Sequence, residues 1–160
     1  MVVEILQDAF FAAIAAIGFA AISRPPRRAY LYCALLAAVG HSLRYVLMLH
    51  GLLEAHIVVA TTLAAFVVGL LAVVTSPVAR VPAETSLYPA LLPMIPGIYA
   101  YKMFGGLAMC VFGKGQAEYD FYFYQFSYNA IMCTFILMGM VIGATIPIFM
   151  LKRISFQATR

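Results

Sequence analysis

Charge is what this sequence has least of. Only 10% of its 160 residues are Asp, Glu, Lys or Arg, while 65% are apolar. An average soluble domain is about 25% charged and roughly 45–50% apolar. A soluble core cannot absorb the difference, because a chain this short leaves much of its surface outside. The bilayer is the solvent that such a composition suits. Signatures of soluble catalysis are missing too: there is no Walker loop, no dinucleotide-binding glycine pattern and no HExxH. The expectation is a protein that is not an enzyme, and an ATP-driven pump would need a separate motor. Cysteine is scarce, with Cys33, Cys110 and Cys133 odd in number and at no zinc spacing. They read as small apolar filler, with no disulfide, metal or cofactor expected. A basic segment ahead of the first apolar run is also lacking, since Glu4 and Asp8 stand there and no small-residue cleavage site follows. Residues 3–22 therefore read as a retained helix rather than a signal peptide.

What the chain has is long apolar runs. A helix needs roughly 20 apolar residues to cross the hydrocarbon. Five candidate helices, at about 3–22, 29–49, 56–76, 86–104 and 124–150, predict an all-α polytopic protein with a single transmembrane domain over 1–160. The first ends at Ser23-Arg24-Pro25-Pro26-Arg27-Arg28, where prolines cannot continue a helix and arginines stay in water. His50 to Ala55 joins the second and third, and Pro77 to Glu84 the third and fourth. A glycine-rich outer loop is expected from Gly105 to Asp120. An aromatic stretch, Tyr119 to Tyr128, opens the fifth helix, as in an interfacial belt.

Basic residues orient these spans. With the 23–28 turn in the cytoplasm, that side holds Arg24, Arg27, Arg28, Arg80, Lys152, Arg153 and Arg160, while the outer side holds only Lys102 and Lys114. Cytoplasmic loops carry the excess of Lys and Arg, so the N-terminus is expected outside and the C-terminus inside. The net charge of +4 lies in clusters that flank apolar runs, which speaks for membrane anchoring and against nucleic acid.

The fourth candidate helix is irregular. Leu87 to Gly97 contains Pro89, Pro93 and Pro96, and each proline removes a donor and clashes with the preceding turn. Carbonyls freed at membrane depth are tolerated only where protein or a water-filled cavity meets them. A break there is either a packing kink or the mark of a transport site.

Few polar side chains lie inside the spans. His41 and Arg44, three apart, share one face of the second helix. Arg44 lies roughly 9 Å below the outer end at about 1.5 Å per residue, so it either snorkels to the headgroups or faces a cavity and pairs with an acid or an anionic group. His41 reads as a packing histidine or as one that handles a proton or contacts substrate. Asp8 is a solvated helix end, or it pairs with Arg44 across helices and joins His41 in proton coupling. Asn129 reads as interhelical glue or as a ligand contact. Tyr101 and Lys102 follow the broken segment and stand where its outer mouth would be. Gly139 with Gly143, and Ala65 with Gly69, allow close helix packing.

The order of several short motifs is distinctive: Ile17-Gly18-Phe19-Ala20, Pro26-x-Arg28, Cys33-Ala34-Leu35-Leu36, Gly40-His41-x-x-Arg44, Pro93 to Tyr101, Asn129 and Gly143-x-x-Ile146-Pro147. In these the chain resembles the bacterial threonine/serine exporter family, in its small-subunit type, equivalent to the C-terminal half of one-chain exporters. Relatives include two-component succinate exporters. The resemblance implies a multi-pass protein of the bacterial inner membrane and a larger partner subunit with a cytoplasmic N-terminal domain and about five spans of its own. A half that starts outside and ends inside is the inverse of such a partner. The expected function is a subunit of a secondary exporter for threonine, serine or a dicarboxylate such as succinate. In it Arg44 binds the substrate carboxylate, Pro96 and Gly97 offer backbone groups, and His41, Tyr101 and Asn129 complete the substrate contacts. Assembly as a hetero-oligomer, or at least a homo-oligomer, follows from intramembrane charge that needs polar partners. The alternative is a membrane scaffold that transports nothing.

Overall fold

The computed structural model describes residues 2–49, 55–113, 115–151 and 154. The described residues form helices and no strand: α1 (Val2–Ser23), α2 (Arg27–Met48), α3 (Ile57–Ala79), α4 (Ala83–Leu91), a 3₁₀ turn (Leu92–Met94), α5 (Gly97–Phe112) and α6 (Gln116–Met150). Four helices are long and apolar enough to cross a membrane, and five spans result if the broken pair 83–94 and 97–112 counts as one. The protein is thus an all-α polytopic membrane protein.

The first three helices fall within a few residues of the expected spans. The His50–Ala55 connection lies, up to residue 54, outside the described residues, as do Lys114, Lys152, Arg153 and Arg160. The fourth and fifth helices correct the sequence expectation. The supposed outer loop 105–120 is mostly helix, since α5 runs to Phe112 and α6 starts at Gln116. Gly105 and Gly106 do not break α5 because Gly106 serves contact rather than a turn. A Cβ on it would lie 2.9 Å from the Phe126 amide nitrogen and 3.0 Å from the Tyr122 carbonyl oxygen, so α5 and α6 meet backbone to backbone there. Glu118 sits in the first turn of α6, where the helix dipole favours an acid. Gln116 donates to Asp120 one turn on, at 2.9 Å. At 35 residues, α6 is roughly 52 Å long.

The chain divides into two compact units, 1–94 with 139–160, and 95–138. The first contains α1 to α4, the 3₁₀ turn and the last part of α6. Small residues bring its helices together. A Cβ on Gly69 would lie 2.5 Å from the Ala144 carbonyl oxygen, and one on Gly143 or Gly139 would run into Thr62. Ala65, one turn from Gly69, is fully buried. The expected small-residue positions therefore form the α3–α6 contact, where close approach replaces a hydrophobic driving force that lipid does not supply.

Prolines inside this unit free carbonyls, and side chains answer them. Pro77 cannot donate to the Val73 carbonyl one turn back, and Ser76 Oγ donates there instead, at 2.9 Å. Pro89 leaves the Thr85 carbonyl without its helical partner, and the Cys33 thiol of α2 approaches that oxygen at 3.8 Å. In hydrocarbon each unanswered group would cost several kcal/mol, so every such break has to be matched by a donor on the same or a neighbouring helix.

A candidate carboxylate and proton site at the broken helix

Backbone chemistry builds this site first. Pro96 has φ −77° and ψ 65°, the torsions of an inverse γ-turn, and the Gly97 N–H accordingly bonds the Ile95 carbonyl at 2.8 Å. Pro93 thereby loses both onward helical partners, since Pro96 has no N–H and that of Gly97 is already used, and Met94 receives no bond from the Ile98 N–H one turn on. Two carbonyl oxygens stand free at the end of the 3₁₀ turn.

Side chains of α2 occupy both. Arg44 Nη1 donates to the Met94 carbonyl at 3.0 Å, and His41 Nε2 lies 3.1 Å from the Pro93 carbonyl oxygen. Gly40 makes the approach possible, because a Cβ on it would lie 2.5 Å from Val68 Cγ2 and 3.3 Å from Met94 Sδ. Arg44 Nη2 also reaches His41 Nε2, at 3.3 Å.

The helical hairpin α1–α2 sets the acid. Its connection is only Arg24 to Pro26, so residues equidistant from that turn face each other. Asp8 lies about 22 Å from the Ser23 end of α1, and His41 about 21 Å from the Arg27 end of α2, at 1.5 Å per residue. Asp8 Oδ2 meets His41 Nδ1 at 2.8 Å. One turn outward the same register joins Tyr45, as donor, to Glu4 at 2.9 Å. The side chains of His41 and Asp8 are 13% and 32% exposed, so the acid can be reached while the imidazole is largely enclosed. Asp8 thus has a side-chain partner in His41, where a solvated end or a pairing with Arg44 was expected.

Of the expected site residues, Asp8, His41 and Arg44 come together in the first unit. Pro96, Gly97, Tyr101 and Asn129 belong to the second. There Tyr101 and Lys102 are exposed, and Asn129 is buried with its amide donating to the Gln125 carbonyl of its own helix at 2.6 Å. The carbonyls of Pro93 and Met94 and the Glu4–Tyr45 pair were not singled out from sequence. The spacing Pro93-x-x-Pro96 was the available signal, because a proline three residues on removes the donor for the first proline's carbonyl.

At the other end of the first unit the basic residues gather. Arg28 Nη2 donates to the Arg80 carbonyl at 3.3 Å, tying the α1–α2 turn to the α3–α4 corner. Arg80 caps α3 in the left-handed region with φ 52°. Between these segments lies an open depression of about 430 Å³, lined by Ser23, Pro25, Pro26, Glu84, Tyr88 and Pro89. One of its lining residues, Pro89, is one helical turn short of Pro93.

Residues 8–150 match the family described as "Threonine/Serine exporter, ThrE". The chain belongs to the threonine/serine exporter family. An uncharacterized protein of Haemophilus influenzae is 38% identical over 145 residues, which cover 90% of this chain and 46% of that protein. The chain therefore spans about half the length of this curated relative. No solved structure matches it. In this exporter-family chain, the matched region contains all of the Asp8–His41–Arg44 cluster and the broken helix it holds.

Proposed function

We propose that this chain is one of two membrane-embedded halves of a two-chain secondary exporter for small carboxylate-bearing solutes, threonine and serine first, with succinate as the dicarboxylate candidate. One observation carries the reading: an arginine and a histidine inside a span are aimed at the two freed carbonyls of a broken helix. Intramembrane ionisable residues are costly and mark solute or proton pathways, and broken helices form transporter sites. Arg44 uses one N–H on Met94 and offers one to His41. A guanidinium has five donors, which leaves a fork for a carboxylate. His41 and Asp8 carry the proton. Pro96, Gly97, Tyr101 and Asn129 are further candidate substrate contacts.

The partner is a larger family subunit, supplying the other half of the exporter. The bacterial inner membrane is the location, with the arginine-rich end in the cytoplasm and its depression as the cytoplasmic approach. Flux of labelled threonine, serine and succinate from vesicles, with this chain alone and with the partner, tests the reading. No flux above empty vesicles with both chains present would overturn it.

A second reading has its own support. Arg44 and His41 already satisfy carbonyls that proline breaks expose, as Ser76 and Cys33 do elsewhere, which suits a scaffold in which the cluster only closes the fold. Arg44→Lys separates the two readings, as developed below.

A further inference from the structure

His41 Nε2 has two neighbours that make opposite demands on it. The Pro93 carbonyl oxygen at 3.1 Å can only accept, and Arg44 Nη2 at 3.3 Å can only donate. The first contact needs a proton on Nε2, and the second needs its lone pair. Across the ring, Nδ1 and Asp8 Oδ2 at 2.8 Å need a proton between them. The Asp8–His41 pair therefore holds one proton or two. With one, it lies between Nδ1 and Oδ2, and the bare Nε2 takes an N–H from Arg44. With two, Nε2–H donates to Pro93 and Arg44 Nη2 is released.

We infer that the Asp8–His41 pair is a proton-operated latch on Arg44, so that the cluster takes up a carboxylate and a proton together. The inference rests on the reading that Arg44 binds the substrate carboxylate. In the one-proton state Asp8 and Arg44 cancel in charge and Arg44 is held. In the two-proton state the cluster carries one net positive charge and a free N–H, and both favour an anion. Among the described residues, no other group facing His41 competes. α1 brings Glu4 and α2 brings Tyr45, bonded to each other one turn outward. The 3₁₀ turn brings only carbonyls. α4 carries Glu84 and Tyr88, which line the depression at the arginine end. α3 has no titratable side chain between His56 and Arg80. Coupling of this kind is reciprocal, so a bound carboxylate retains the proton as strongly as the proton retains the carboxylate.

The test uses the full chain with its co-purified partner in lipid nanodiscs, with L-threonine as the probe. Nitrogen-15 spectra of labelled histidine, assigned by the signal lost in His41→Gln, report the ring. The latch requires Nδ1–H with bare Nε2 at pH 8.5, and protons on both nitrogens at pH 5.5. An Nε2–H tautomer at pH 8.5 overturns it. Threonine affinity should fall up to tenfold per pH unit across the transition, and His41→Gln, whose amide donates at every pH, should flatten that slope. A flat wild-type profile, or a slope kept in His41→Gln, also overturns it. If His41→Gln does not assemble, Asp8→Asn must move the transition to lower pH, because the imidazolium loses its carboxylate partner, and an unmoved transition counts against the latch. Absence of threonine binding at every pH removes the Arg44 reading instead, and the ring signals still decide the latch.

Discussion

Replacing Arg44 by lysine keeps the charge and removes the fork. Arg44 makes two contacts in this protein, to the Met94 carbonyl at 3.0 Å and to His41 Nε2 at 3.3 Å. A lysine ammonium is a point charge on a flexible stem and cannot present two parallel N–H groups to a carboxylate while holding Met94. The cost to the fold is small, because a hydrogen bond between helices in a bilayer is worth about 0.6 kcal/mol on average. Insertion is also unaffected, since Lys and Arg cost about the same at membrane depth, roughly 2.5–3.5 kcal/mol. The cost to a bound carboxylate is larger, on the order of 1.5–3 kcal/mol for a lost charge-assisted hydrogen bond. At about 1.4 kcal/mol per tenfold, substrate affinity falls roughly 10- to 100-fold. Export rate against internal threonine, for wild type and Arg44→Lys at matched protein levels, is the measurement. Superimposable curves with normal assembly would falsify the carboxylate site and leave Arg44 as a structural donor to the broken helix.

The other predictions concern the fold that holds this cluster. Gly143→Val drives side-chain atoms into the Thr62 carbonyl, so unfolding of the purified protein in detergent should show a loss of about 1–3 kcal/mol, the range for overpacking; an unchanged midpoint contradicts the α3–α6 contact. Ser76→Ala removes the donor that answers Val73 and should cost on the order of 1 kcal/mol. In a Pro77→Ala background the backbone N–H returns, and the same substitution should then be nearly silent; equal costs in both backgrounds refute the surrogate-donor argument. A reporter fused after Arg160 should read cytoplasm, and one inserted at Gly115 should read outside, with the reversed pattern sinking the proposed orientation.

Sequence alone determined the solvent and the all-helical class, because hydrocarbon admits only segments that bond their own backbone, and apolar runs of sufficient length are recognisable, although whether four or five of them cross depends on how the broken pair is counted. It also determined that the fourth span must break, since Pro89, Pro93 and Pro96 are each missing a donor. The arginine clusters at the first turn and at Arg80 were legible as one end of the bundle, and Arg28 does bond the Arg80 carbonyl. Even the facing of Asp8 and His41 was implicit, because a three-residue connection leaves an antiparallel helix pair little freedom of register. Tertiary structure decided which donor meets which carbonyl. A shift of α2 by about one turn along its axis would bring Arg44 to the level that His41 holds without changing any hydropathy, and Gly40 against Val68 and Met94 fixes the position of the helix. It likewise decided the fate of Gly105 and Gly106. A glycine pair permits a loop or a close helix crossing equally well, and only the backbone of Phe126 and Tyr122 lying against Gly106 makes it a crossing. Local chemistry fixes where a chain must be satisfied, while the partner that satisfies it comes from far along the sequence and depends on packing that no short window contains.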